Sequence, residues 1–223
     1  MLAQDGQYTK ALQALYRLGL PVFDQCGPCP ACLQESDVLG DHALCCGSGG
    51  DISGHNALRD AIFETAVAAG LGPVKEGCFL LPGNDQRPAD VLVPNWTSGK
   101  DVAMDVKVTT PIKVTTMPGA ANTAGFALNH AHMGKLDGAE EACRRQGLAF
   151  LPLVAETFGD WHPSAQREVK KLESALARHT GQDEAKAVSH LWGRLCILLQ
   201  RGNAAILGNR IPAQPDPQID GII

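Results

Sequence analysis

The sequence predicts an α/β (α+β) fold: a mixed central sheet flanked by helices, with a small cysteine-rich module near its start. Three observations predict it. A helical repeat beginning at Ser53 is followed by three strand-like runs at about 74–81, 89–94 and 101–109, then by an alanine-rich helical stretch at 119–146 and the apolar run Leu148–Ala155. Cys26, Cys29, Cys32, Cys45 and Cys46 crowd with His42 into a loop-rich stretch. The 223 residues are 44% apolar and 19% charged, which suits one substantial domain with a small appended module and excludes general disorder.

Residues 7–18 repeat Tyr8, Leu12, Leu15 and Tyr16 at helical spacing, and Gly19-Leu20-Pro21 stops that helix. Residues 24–50 are rich in Cys, Gly and Pro. In the next helix Ser53 is the expected N-cap, Leu58, Ile62 and Ala66 form the buried stripe, and Gly70 ends it. Gly, Pro, Asn and Asp punctuate the three strands. The 119–146 helix is read through Gly125, Gly134 and Gly138, and Gly147 closes it. Leu148–Ala155 is apolar enough for a strand buried on both faces, although Pro152 cannot donate to a ladder. Helices at 163–180 and 184–201 complete the order, and Ile211-Pro-Ala-Gln-Pro-Asp-Pro-Gln reads as extended chain. The expected division is an N-terminal helix over 1–25, a Cys3His module over 26–52, a main domain over 53–208 and a Pro-rich tail over 209–223.

Composition narrows the setting. The start Met1-Leu2-Ala3-Gln4-Asp5 lacks the basic and apolar regions of a signal peptide, and Leu195–Leu199 is too short to cross a bilayer. No membrane partner is expected. Cys78, Cys143 and Cys196 stand singly among apolar residues, as buried thiols do, so a reducing intracellular compartment fits better than a disulfide framework. The net charge of −5 argues against a strong grip on nucleic acid by this chain alone, because phosphate contacts supply most non-specific affinity.

Cys29-x2-Cys32, nine residues, then His42-x3-Cys46 has the spacing of a structural Zn2+ site. The loops hold too little apolar surface to fold alone, which gives a metal something to do. Cys45 adjoins Cys46 and competes for the fourth position. Cys26 is an alternative knuckle ligand to Cys29 or Cys32.

Asp90 falls on the second strand-like run and Asp105-Val106-Lys107 on the third. Strand alternation puts Asp105 and Lys107 on one face and Met104, Val106 and Val108 on the other, so the apolar face is core and the charged face is a site. Two carboxylates able to share Mg2+ or Mn2+, with a lysine beside them, are what metal-assisted phosphodiester hydrolysis needs. Glu76 on the first run is a third candidate ligand. Arg87 either contacts phosphate or pairs with Asp85.

Asp90 with Asp105-Val106-Lys107 resembles the PD-(D/E)xK restriction-endonuclease-like superfamily. The wider text Cys-x2-Cys, Gly40-Asp41-His42-Ala43-Leu44, His55-Asn56, Arg59-Asp60, Arg87-Pro88-Ala89-Asp90-Val91 and Phe150–Gly159 is similar to the restriction-like endonuclease domain of site-specific non-LTR retrotransposon proteins, over roughly residues 26 to 160. The resemblance implies a Mg2+-dependent endodeoxyribonuclease that nicks target DNA for retroelement integration, in a nuclear setting, with a reverse transcriptase region or fused partner. It favours Cys46 as the last zinc ligand. It assigns DNA contact to His55, Asn56 and Lys135, although Gly54 stands where those domains carry Arg or Lys and the Tyr expected after Lys135 is absent. His55 as a helix-start residue bonded to backbone, and Lys135 as a solvated residue, are the alternatives. Glu64 on the preceding helix competes with Glu76 for the extra acid. The rival functions are a domesticated, non-catalytic nucleic-acid- or protein-binding relative and a repair or recombination nuclease of the same fold.

Overall fold

The structure, a computed structural model, describes residues 19–48, 52–76 and 89–212. The expected 7–18 helix, residues 77–81 of the first strand, Arg87 and the tail from residue 213 lie outside the described residues. In chain order the elements are β1 (Gly27–Pro28), β2 (Glu35–Ser36), α1 (Asp41–Cys45), α2 (Ile52–Ala68), β3 (Val74–Lys75) and β4 (Val91–Thr97). There follow β5 (Lys100–Thr109), α3 (Met117–Ala120), α4 (Phe126–Arg145), β6 (Ala149–Glu156), α5 (Pro163–Thr180) and α6 (Glu184–Gly208). Contacts divide the chain into two units, Met1–Asp51 with Gln200–Ile223, and Ile52–Leu199.

In the first unit β1 and β2 pair antiparallel, Gly27 opposite Ser36. The turn between them closes through the Cys29 N–H on the Gln34 carbonyl and the Leu33 N–H on the Cys29 carbonyl, both 2.8 Å. Val22, Phe23, Ala43 and Leu44 bury a small apolar core. Leu207 joins it, packing where a Cβ on Gly40 would clash. Residues 200–208, expected in the main domain, therefore belong to the cysteine-rich unit: α6 continues past the expected 201, and its last turns find their apolar partners here.

The second unit is a mixed sheet in the order β3-β4-β5-β6. β3, β4 and β5 are antiparallel and β5–β6 is parallel, with Asp105 opposite Pro152. A parallel pair cannot close through a hairpin, so the chain crosses over through α4. Ser98 and Gly99, both at positive φ (51° and 80°), make the tight β4–β5 turn, and Pro94 and Asn95 sit where the register shifts, as bulge residues do. Pro152 is accommodated because β6 is an edge among the described strands.

One sheet face carries Val91, Val102, Met104, Val106, Leu153 and Ala155 into the main core, which α2, α5 and α6 cover. The expected α2 stripe is there, with Leu58 0%, Ile62 1% and Ala66 0% exposed. On the other face Ala103 packs with Ala89 and with Cys143 of α4. Two local expectations change. Ser53 lies inside the first turn of α2, which begins at Ile52, and the alanine-rich stretch is two helices, interrupted where Gly125 takes a left-handed conformation (φ 72°). No helix among the described residues is long and apolar enough to cross a membrane.

Candidate functional site

Cys29 and Cys32 sit on the β1–β2 turn, His42 on α1 and Cys46 just after it. The Asp37 carboxylate accepts the N–H groups of Asp41 (3.0 Å) and His42 (2.7 Å), two of the donors a helix leaves unpaired at its start. Burial works against the Asp37 charge, but those bonds hold its carboxyl below the usual carboxylate range. The anchored α1 brings His42 Nε2 to 3.2 Å from Cys32 Sγ, while Cys29 Sγ is 3.9 Å from Cys46 Sγ. All four ligand atoms lie within 4.8 Å of one another. Metal–sulfur bonds of about 2.3 Å in a tetrahedron give sulfur–sulfur edges of about 3.8 Å, so this Cys3His cluster has the size and donor set to hold a metal such as zinc. Cys46, not Cys45, completes it, and the exposed Cys26 stands outside.

Cys29 is fully buried. Burial pushes its thiol up, yet the N–H groups of Ala31 and Cys32, with the His42 side chain, outweigh that and bring it down to about 6. A thiol in that range is thiolate at neutral pH, the form that binds metal. No disulfide joins the described cysteines.

The carboxylate site assembles from four elements of the second unit. Val91 stands opposite Met104, and the Asp90 N–H donates to the Met104 carbonyl at 3.0 Å. That bond departs from the Val91–Met104 register, so Asp90 stands just ahead of β4, where the Val106 N–H reaches its carboxylate and the Asp105 charge acts on it. The alternation runs as expected: Met104 and Val106 are buried in the core, while Asp105 and Lys107 belong to the face that α4 approaches.

Carboxylates this close repel each other. The Lys135 ammonium of α4 lies 2.6 Å from Asp105 Oδ2. His55 Nε2 of α2 lies 3.2 Å from both Asp90 oxygens, and the Val106 N–H donates to Asp90 Oδ2 at 2.7 Å. Burial pushes the Asp90 carboxyl above its ordinary value and the Asp105 charge adds to this, against the pull of Val106, His55 and Lys135. The Lys107 side chain is exposed at the surface, but the protein around its stem lowers its amine pKa; the charges of Lys135 and Lys113 act in the same direction and Asp105 opposes them.

His55 and Lys135 are thus placed on the two carboxylates, in neither of the blander positions considered for them. Asn56 is half-buried beside His55. Glu76 is corrected. It stands just past β3 at φ 49°, outside the strand, and its carboxylate pairs with the buried Arg59, which also binds Asp60 at 2.8 Å. The left-handed backbone takes the side chain out of the pleat alternation on which the strand reading depended. Glu64 pairs with Arg194. Arg59 and Asp37 were missed as site residues. His55 and Arg59, four apart on one helix face, were the available signal for the first, and an Asp shortly before a Gly-initiated helical turn for the second. No protein-family model matches this sequence, and no curated protein is similar to it.

Proposed function

We propose that the chain is a metal-dependent DNA endonuclease with Asp90, Asp105 and Lys107 as its working residues, in the manner of the restriction-like domains of retroelement proteins. The observation that supports this best is the convergence of Asp90, just ahead of β4, on Asp105 of β5: the Val106 N–H holds the Asp90 carboxylate and the Asp105 charge acts on it, with Lys107 two residues on from Asp105. Mg2+ or Mn2+ held by the two carboxylates would supply an acidified water and neutralise charge on the phosphate. Val106 holds Asp90 in place through its amide, and Asp105 faces it from the neighbouring strand. Lys107, its amine pKa lowered, is the group to orient the attacking water or to donate to developing charge. Lys135, His55, Asn56 and Arg87 are the candidates for phosphate contact. Glu76 becomes a third ligand only by exchanging Arg59 for the ion. In the first unit we assign structural Zn2+ to Cys29, Cys32, His42 and Cys46.

The net charge of −5 leaves much of the DNA affinity to a fused region or partner. A non-catalytic, domesticated relative is the second reading. It is favoured by the contacts themselves, since the Lys135 ammonium and the His55 ring already partner the two carboxylates without a divalent ion. Supercoiled-plasmid nicking with Mg2+ or Mn2+ at low salt separates the two. Nicking that disappears in chelator and in Asp105→Ala supports the nuclease; a wild-type chain that nicks neither duplex nor single strands leaves the non-catalytic reading.

A further inference from the structure

The partners of the two carboxylates differ in kind. Asp90 accepts a backbone amide, Val106 N–H, and touches the His55 ring. Asp105 Oδ2 is buried from solvent, and its compensation is the Lys135 ammonium at 2.6 Å. A buried carboxylate oxygen without a cation is costly. Asp105 therefore needs either this ammonium or another cation in its place. A divalent ion between the carboxylates would stand close to Lys135 and be repelled by it. Lys135 is able to leave: it arrives from a different element, its side chain is 35% exposed, and its flexible stem carries three donors that suit a phosphate oxygen as well as a carboxylate.

We propose that Lys135 is a shared counter-ion, held by Asp105 in the free protein and surrendered to a nucleic-acid phosphate, so that phosphate and divalent cation bind interdependently. The inference rests on the metal-site reading above and adds an order to it. Without nucleic acid the ammonium keeps divalent ions weakly bound; with a phosphate to receive it, Asp105 is released to the metal. Coupling of this kind is reciprocal, so the ion must tighten nucleic acid by the same factor.

Ca2+ titrations by calorimetry on the full, zinc-loaded chain test this without any cleavage. For wild type, Ca2+ should bind about tenfold more tightly with a saturating duplex oligonucleotide than without it, within the ~5–150-fold usual for coupled sites. Lys135→Met should bind Ca2+ about tenfold more tightly than wild type in the absence of DNA and gain little from the duplex. Lys135→Arg should retain the coupling, and Asp105→Asn should lose the Ca2+ heat in every background. Lys135→Gln serves if the methionine variant folds poorly by circular dichroism. Equal Ca2+ affinities in wild type and Lys135→Met, with and without duplex, overturn the inference, as does an absence of Ca2+ binding in both. A chain that nicks DNA yet shows no coupling overturns this inference alone. Coupling in a chain that never nicks supports the shared counter-ion and removes the hydrolytic role.

Discussion

The cysteine cluster and the carboxylate pair both concentrate anionic ligands, and they neutralise them in opposite ways. The four ligands of the first span residues 29 to 46 and converge within 4.8 Å. Their supports, Asp37 and the amides of Ala31 and Cys32, orient helix and thiolates but bring no positive charge. In the second site each carboxylate already has a nitrogen group from a distant helix. A metal ion would complete the thiolate cluster, whereas at the carboxylates it would have to compete with side chains already there. Folding stability should therefore depend on one metal and activity on the other.

The largest expected effect breaks the first half of that comparison. Protein purified without added metal should carry about one equivalent of zinc. Cys32→Ser should lose the ion and unfold the cysteine-rich unit, because zinc binding of this type contributes on the order of 10 kcal/mol to folding. Metal analysis together with thermal melting checks it, and fully folded protein without zinc would sink the structural role.

Next come substitutions at the proposed nuclease site, expected to spare folding. Asp105→Ala should abolish nicking and Lys107→Ala should slow it by ~10²–10³, with melting temperatures near wild type because both side chains lie off the core face. A melting shift as large as that of Cys32→Ser would erase the distinction between the two regions.

Glu173 extends the comparison to a buried carboxyl on which burial is the largest influence. It is 0% exposed. Burial pushes its carboxyl up to about 7 from 4.5, with the Trp192 backbone and the Lys170 charge offsetting only part. A raised folded value means that the native state binds the proton more tightly than the unfolded chain. The stabilisation is complete below the unfolded value and is lost as pH rises from about 4.5 through about 7. About 2.5 pH units at 1.36 kcal/mol each is on the order of 3 kcal/mol. Glu173→Gln should remove most of that pH dependence, and denaturant unfolding at pH 5 and pH 8 measures it. A wild-type protein equally stable at both pH values would show that Glu173 is not protonated in the fold.

The smallest effect concerns the scaffold of the cysteine cluster. Asp37→Ala leaves the ligands in place and removes the cap on α1, costing about 1 kcal/mol, with zinc stoichiometry unchanged. Loss of zinc in this variant would make Asp37 essential to the site.

The sequence by itself determined what short range decides. Cys29, Cys32, His42 and Cys46 lie close along the chain, so spacing alone nearly closes the cluster. The period-2 pattern over residues 101–109 set Asp105 and Lys107 opposite the buried Met104 and Val106, because pleat alternation is a local property of the backbone. The order of strands and helices followed in the same way, apart from the break at Gly125, where one left-handed residue outweighs a long alanine-rich pattern. Only the tertiary structure decided the partners. His55 reaches Asp90 across 35 residues of sequence, Lys135 comes to Asp105 through the crossover helix, Glu76 turns to Arg59, and the last turns of α6 go to the cysteine-rich unit. Each of these depends on how elements far apart in the chain pack and on which charge lies nearest once water is removed, and no local periodicity encodes either.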